Sequence, residues 1–204
     1  MTPSLKVVVA ITSPIAFQKL RNQSVLQTCL ETAQEFVAQY GSDADLAIAG
    51  SKEELVQVVD VECEKIQCDP NNLAASLLNT TPAELVMFHD AQRAFTKVSQ
   101  FQRVLAALIP GIDAVRPVSA FTETLKSIDS DQFVEGTIDR DSMKRVSTPE
   151  LIRYSAIDFR ATSSTWFVPI KADAKIATVQ ADTEDTRINS EKELELMKYL
   201  LARN

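Results

Sequence analysis

The fold class of this chain is decided by residues 84–95, which read Glu84-Leu85-Val86-Met87-Phe88-His89-Asp90-Ala91-Gln92-Arg93-Ala94-Phe95. A short apolar run ends abruptly at Asp90, and Arg93 follows three residues later. Open α/β sheets hold their ligands at the carboxyl ends of their strands, where a carboxylate suits a metal ion and a guanidinium suits a phosphate. The segment therefore predicts a buried strand with ligand-binding side chains at its carboxyl end.

Strands and helices alternate on the amino-terminal side of this segment. The β-branched apolar run at residues 5–11 predicts a buried first strand. Apolar residues at helical spacing over residues 26–40 predict an amphipathic helix that ends at Gly41. Residues 45–50 and 56–61 predict the second and third strands, so this half of the chain has the order expected of a parallel sheet.

The alternation continues and then breaks. The further predicted elements are a helix opening at residues 69–72 with Asp69 as N-cap and Pro70 at its first position, a helix over 98–109, a strand over 113–118, a helix at 148–152, a strand over 176–179 and a final helix after the capping box at 190–193. Residues 121–140 instead predict antiparallel strands with turns at 129–131 and 135–136. We expect a three-layer, mostly parallel α/β domain over residues 1–204 with an antiparallel arm.

Composition narrows the classes of partner. The net charge of −7, without a basic stretch, disfavours nucleic acid and anionic membranes. No apolar run is long enough to cross a bilayer, and the first residues lack the pattern of a signal peptide, so we expect a cytoplasmic protein. Three cysteines without C-x-x-C spacing argue against disulfides. Cys63 and Cys68 lack enough histidine partners for a zinc site, so reduced thiols are the favoured interpretation.

Several short motifs, in this order, resemble those of the 2-C-methyl-D-erythritol 4-phosphate cytidylyltransferase family. Residues 89–94 resemble its H-D-A-A-R-P motif, and residues 116–126 resemble P-V-x-D-T-[IM]-K with a short insertion. Residues 137–140 are similar to T-V-D-R, and residues 145–150 to x-x-x-T-P-Q, at the family's spacing. Residues 186–194 resemble N-I-K-[IV]-T-x-P-E-D-L, so the resemblance covers nearly the whole chain.

The resemblance implies a Rossmann-like nucleotidyltransferase sheet and the transfer of CMP from CTP to a phosphorylated polyol, with release of pyrophosphate. It also implies a homodimer whose arm, at about residues 121–147, crosses to the partner subunit. A functional nucleotide site would use Mg²⁺. The implied site residues are Asp90 for the metal, Arg140 and Arg187 for catalysis, and Arg93, Thr148 and Ser76 for substrate binding. Arg187 stands where the family has a lysine.

Structural roles compete with these functional ones. Asp90 could cap the helix that follows it, and Thr148, which precedes a proline, could serve as an N-cap. Arg93 and Arg140 could form surface ion pairs, as most arginines do. His89 is favoured as a packed strand residue, because this chemistry requires no histidine base.

The nucleotide-binding elements of the family are degraded in this chain. Its four glycines leave the first forty residues without any, and Ile15 falls where the family's glycine-rich loop is followed by a lysine. A second nucleotide element keeps only Ser76, since Leu73 replaces its arginine. Each preorganised donor at a transition state contributes about 10²–10³-fold to the rate. We therefore expect weak or lost catalysis and a binding or regulatory role, with a second copy of this chain or an active paralogue as the partner.

Two other functions stay open at this point. An active nucleotidyltransferase could use a rebuilt triphosphate loop, with Lys19 or Arg21 as the replacement cation. A nucleotide-sugar-binding protein of the glycosyltransferase type could use the D-x-D spacing of Asp129-Ser130-Asp131 for a metal, although a solvated turn explains that triplet more simply.

Overall fold

The structure is a computed structural model that describes residues 2–59, 61–69, 72–161 and 168–202. Its strands are β1 Leu5–Ala10, β2 Ala44–Gly50, β3 Glu64–Gln67, β4 Leu85–Asp90, β5 Ala114–Ala120, β6 Leu125–Ile128, β7 Val134–Ile138, β8 Lys144–Val146, β9 Glu150–Arg153 and β10 Ile176–Gln180. Its α-helices are α1 Val25–Tyr40, α2 Lys52–Gln57, α3 Leu73–Ser76, α4 Val98–Ala106 and α5 Glu191–Ala202. Short 3₁₀ turns lie at Pro14–Phe17, Leu77–Asn79, Arg140–Ser142 and Tyr154–Ala156.

The central sheet has the strand order β10-β5-β9-β4-β1-β2-β3, and β8 adds to one end of β5. The pairs β1–β2, β1–β4, β2–β3 and β10–β5 are parallel, while β9 runs antiparallel between β4 and β5. The predicted mostly parallel α/β sheet is therefore confirmed. The direction of winding reverses at β1, which lies between β2 and β4, and such a switch point opens a crevice at the carboxyl ends of the strands.

Two apolar layers enclose this sheet, because successive side chains of a strand point to opposite faces. Val7 and Val9 of β1 face the side covered by α1 and α4, where Phe36 and Phe101 are fully buried. On the other face, Val8 packs in a cluster that includes Phe88 of β4, Leu73 of α3 and Leu77 of the 3₁₀ turn that follows α3. The result is the predicted three-layer arrangement.

Two predicted elements were wrong. The strand predicted at 56–61 was wrong, because Ser51 and Glu54 exchange capping hydrogen bonds and start α2, which continues to Gln57, and the third strand is Glu64–Gln67. Residues 148–152 do not start a helix. Leu151 and Ile152 belong to β9 and are fully buried between two strands, so tertiary pairing outweighs their local preference.

The predicted start of the third helix falls partly outside the described residues, since Pro70 is one of those not described. The backbone N–H of Asn72 donates to the carbonyl of Asp69 at 2.8 Å, and α3 begins at Leu73.

The predicted arm is a hairpin of β6 and β7, which forms a two-stranded sheet of its own. Gly136 lies inside β7 opposite Ser127, so the turn predicted at residues 135–136 was wrong. The turn lies at residues 129–133, where Asp129 Oδ1 accepts the backbone N–H groups of Asp131 and Phe133, each at 2.9 Å. In the described part of the chain, no helix combines the length and the apolar character needed to span a membrane.

Candidate functional site

The candidate site lies where β1 and β4 end side by side. Asp90, the last residue of β4, pairs with Ala10, the last residue of β1, and Thr12 follows two residues later. Every residue of both strands is buried, because both faces of the sheet are covered. Asp90 lies at the carboxyl end of a buried strand, as predicted, and that strand is next to the switch point at β1.

Asp90 is completely buried, and both of its carboxylate oxygens have partners. Oδ2 lies 2.6 Å from Nε of Arg187 in an ion pair. Oδ1 accepts the backbone N–H of Gln92 at 3.0 Å and lies 3.2 Å from the hydroxyl of Thr12. The bond from Gln92 closes the turn after β4. The helix that follows begins only at Val98, so the helix-capping role considered above for Asp90 was wrong, and its carboxylate serves this turn and the ion pair.

Arg187 also donates hydrogen bonds to three other side chains near this carboxylate. One terminal nitrogen donates to Thr12 Oγ1 at 3.0 Å and to Gln92 Oε1 at 2.6 Å, and the other donates to the side chain of Asn189. Gln92 in turn accepts the hydroxyl of Thr12 at 2.7 Å and donates to the carbonyl of Ile188. We call Thr12, Asp90, Gln92 and Arg187 the Asp90 cluster. It fastens the segment before α5 to the ends of β1 and β4.

The Asp90 cluster does not fit a bound magnesium ion. Mg²⁺ needs near-octahedral oxygen ligands and retains several waters. The one carboxylate here is inaccessible to solvent and already neutralised by a guanidinium. Across the described ranges, no group of three or more His, Cys, Asp and Glu side chains is placed to hold a metal ion, and this includes Cys63 and Cys68.

Arg93 is also directed into the protein. It donates to the backbone carbonyls of Asp185 at 2.9 Å and Val146 at 3.5 Å, and it lies 3.5 Å from the Asp185 carboxylate. Only 11% of its side chain is exposed. In this arrangement its guanidinium joins three segments of chain, and it is neither the surface ion-pair partner considered above nor open to a phosphate.

Asp185 and Gln100 are site residues that the sequence did not reveal. The buried Asp185 carboxylate accepts hydrogen bonds from Thr96 and Gln100, each at 2.7 Å, and from Ser147. Gln100 also donates to the carbonyl of Thr148 at 2.7 Å. Gln100 could have been found from the sequence, because it is a polar residue on the otherwise apolar face of α4. Asp185 could not, because the residues around it are polar and nothing distinguishes it from them.

Thr148 and His89 form a buried pair beneath the Asp90 cluster. Thr148 Oγ1 accepts the backbone N–H of Asp90 at 3.2 Å and lies 2.9 Å from Nδ1 of His89. Burial lowers the pKa of His89 from 6.5 to about 4, against the opposing effect of the Asp185 and Asp90 carboxylates. The ring packs edge-on against Phe101 with centroids 4.9 Å apart, as expected of a packed strand residue.

The other two predicted site residues make their contacts elsewhere. Arg140 lies at the base of the arm, where its guanidinium donates to the carbonyl of Thr122 at 2.8 Å. Ser76 is in α3, and its hydroxyl donates to the carbonyl of Asn72 at 3.2 Å. The structure therefore links Asp90, Arg187, Arg93 and Thr148 in one network, and this network does not reach Arg140 or Ser76 through the contacts described.

Apolar packing fills the region where the family resemblance places a glycine-rich loop. The 3₁₀ turn Pro14–Phe17 follows β1, and Ser13 caps it by accepting the N–H of Ile15 at 3.3 Å. Ile15 and Ala16 are buried. Ile15 packs with Ile188 and Leu194, the latter from α5. The buried side chains of this turn hold its backbone against the domain, so the turn does not form an open loop with backbone N–H groups available to a phosphate.

Sequence comparison places this chain in a family. Residues 8–166 match the family model of 2-C-methyl-D-erythritol 4-phosphate cytidylyltransferase, IspD. The chain is 30% identical over 167 residues to the enzyme of that name from Saccharopolyspora erythraea. The matched region covers 78% of this chain and 73% of the relative. It is 32% identical over 137 residues to the enzyme from Rhodococcus opacus, and this match covers 64% of this chain and 60% of the relative.

Solved structures agree on the fold. The 2-C-methyl-D-erythritol 4-phosphate cytidylyltransferase of Thermus thermophilus superposes with a TM-score of 0.74 at 18% identity, over 100% of both chains. The 4-diphosphocytidyl-2C-methyl-D-erythritol synthase of Anaerococcus prevotii gives 0.75 at 20% identity, again over 100% of both. The family model covers more than half of this chain, and the relative from Saccharopolyspora erythraea is 30% identical to it. The chain therefore belongs to the 2-C-methyl-D-erythritol 4-phosphate cytidylyltransferase family.

Proposed function

We propose that this family member has weak or lost cytidylyltransferase activity and acts as a binding or regulatory protein in the cytoplasm. In an active member, CTP and a phosphorylated polyol would react at the carboxyl ends of β1 and β4. In-line transfer needs donors aimed at the triphosphate and cations that neutralise its charge. The proposal is that this chain keeps the fold and has replaced those groups.

The observation that carries the proposal is the packed turn after β1. An open glycine loop lets backbone N–H groups approach phosphates. Here Ile15 is 8% exposed and belongs to an apolar cluster with Leu20, Val25 and Ile188. Binding a triphosphate at this place would require the cluster to open and apolar surface to enter water. That expense in free energy opposes binding of the nucleotide.

The cations of the remaining site support the same proposal. Arg187 pairs with Asp90, and Arg93 pairs with Asp185. Each guanidinium would have to leave a buried carboxylate before it could bind a phosphate, and an unpaired buried charge is strongly destabilising. Loss of several donors at once removes most of the transition-state stabilisation.

A transfer assay tests the proposal. Purified protein is incubated with CTP, Mg²⁺ and 2-C-methyl-D-erythritol 4-phosphate, and formation of the CDP-polyol and pyrophosphate is followed. We expect a rate lower by at least about 10³-fold than that of an active family enzyme, since more than one donor is missing. A rate within tenfold of that enzyme would contradict the proposal.

We also propose that the arm forms a homodimer, or a mixed dimer with an active paralogue. An isolated two-stranded hairpin is marginally stable in water. This one exposes apolar side chains, with Phe133 71% and Val134 64% accessible. A second copy of the hairpin would bury them and stabilise both arms. Sedimentation of the intact chain measures the association.

An active enzyme with a rebuilt loop is the second candidate. Lys19 and Arg21 are exposed in the segment between the 3₁₀ turn and α1, so their charged groups lie where solvent, and an anion in it, has access. If transfer is detected, Lys19→Ala and Arg21→Ala should each reduce it. Unchanged turnover in both variants would rule out this mechanism.

A further inference from the structure

The Asp90 cluster places a guanidinium on the carboxylate that the family resemblance assigns to a metal ion. We propose that Arg187 replaces a divalent cation at Asp90, so that the positive charge at the end of β4 is built into the protein and needs no metal. This inference does not rest on the proposed loss of transfer. It concerns the carboxylate at the end of β4, whereas the loss of transfer concerns the turn after β1.

Arg187 contacts three side-chain oxygens that a metal ion at Asp90 could use. Nε lies 2.6 Å from Asp90 Oδ2, and one terminal nitrogen lies 2.6 Å from Gln92 Oε1 and 3.0 Å from Thr12 Oγ1. These are one charged and two neutral oxygens, which is the type of ligand that hard divalent cations prefer. The guanidinium and a metal ion would compete for the same three atoms and repel each other at that distance.

Hydrogen bonds to the residues after Arg187 hold the Asp90 cluster in place. Gln92 donates to the carbonyl of Ile188, and Arg187 donates to the side chain of Asn189, so the segment carrying the guanidinium is bonded at the residues that follow it. The Arg187 side chain is 27% exposed, and the Asp90 side chain is not exposed at all. A metal ion would have to displace Arg187 before it reached Asp90.

Two departures from the family motifs meet in this cluster. Gln92 stands where H-D-A-A-R-P has an alanine, and Arg187 stands where the family has a lysine. An alanine would supply no side-chain oxygen, and a lysine could not present separate nitrogens to Asp90 and Gln92 in a fixed fork. Their contact at 2.6 Å therefore depends on both departures.

Manganese binding, followed by the electron paramagnetic resonance of free Mn²⁺, tests the inference without any nucleotide. The wild-type chain should show no saturable site that depends on Asp90. Arg187→Met, which keeps an unbranched side chain and removes its charge, should gain one saturable Mn²⁺ site that is at least about tenfold tighter than any binding by the wild-type chain. Adding Asp90→Asn to Arg187→Met should abolish that site. Arg145→Met, which removes an exposed arginine, is the matched control and should behave as wild type.

Two results of these titrations would contradict the replacement of a metal ion by Arg187. Saturable Mn²⁺ binding by the wild-type chain that Asp90→Asn removes would overturn the inference. A folded Arg187→Met variant that binds no better than wild type would also overturn it, because the guanidinium would then not be what excludes the metal. If Arg187→Met fails to fold, Arg187→Gln replaces it, and the wild-type comparison with Asp90→Asn still stands. Circular dichroism establishes folding, and Mn²⁺ should raise the Tm of Arg187→Met alone.

Discussion

Substitution of Arg187 should lower the stability of the protein substantially. Arg187→Met leaves the buried Asp90 carboxylate without its ionic partner, which we expect to lower the free energy of unfolding by about 3 kcal/mol. Urea denaturation measures it. The control is Lys198→Met, which breaks an exposed pair with Glu195 and should change stability by about 0.5 kcal/mol or less. Equal effects of the two substitutions would contradict the role given to the Asp90 cluster.

His89 should give stability a pH dependence of known sign. Burial lowers its folded pKa from 6.5 to about 4, so between these values the unfolded chain binds the proton and the folded chain does not. Stability is therefore complete above pH 6.5 and falls as the pH drops towards 4, by about 3 kcal/mol over the whole window.

Urea midpoints measured between pH 7 and pH 5 check this, because the chain has only one histidine. His89→Gln, which keeps a polar group beside Thr148, should lose most of the slope. If the stability of the variant and of the wild type depends on pH in the same way in that range, His89 is not the source of the dependence.

At the scale of elements, the packed turn Pro14–Phe17 is the feature that separates this chain from an open phosphate loop. Ile15→Lys restores the cation that the resemblance places there, but it buries a charge among apolar side chains. We expect it to lower the free energy of unfolding by about 3 kcal/mol and to leave CTP binding unchanged. Gln18→Lys, at an exposed neighbouring position, should be nearly neutral. A stable Ile15→Lys variant with restored CTP binding would show that the turn opens.

The elements also show what the sequence can and cannot predict. The buried runs of β1 and β4 and the helix α1 with its stop at Gly41 were predicted, because their periodicity and caps are local signals. The strand β9 was not, since Leu151 and Ile152 are placed by pairing with two strands distant in sequence. Asp90 and Arg187 were predicted as site residues, but their direct ion pair was not, because it joins residues far apart in the chain.

At the scale of the whole molecule, the arm should control association. Phe133→Ser removes the most exposed aromatic side chain of the hairpin and should weaken self-association by at least about tenfold in sedimentation velocity. Val56→Ser, an equally exposed apolar position in α2, is the matched control and should leave association unchanged. If the wild-type chain sediments as a monomer, and addition of an active paralogue changes nothing, the arm has another role.

The central claim is that the nucleotide half of the site has been replaced by packed side chains and internal ion pairs. Calorimetric titration of the folded protein with CTP in the presence of Mg²⁺ tests it most directly, with an active family enzyme as the positive control. We expect no detectable heat of binding under conditions in which the control titrates. Saturable binding in the micromolar range would contradict it, since a triphosphate cradle would then have to form after β1.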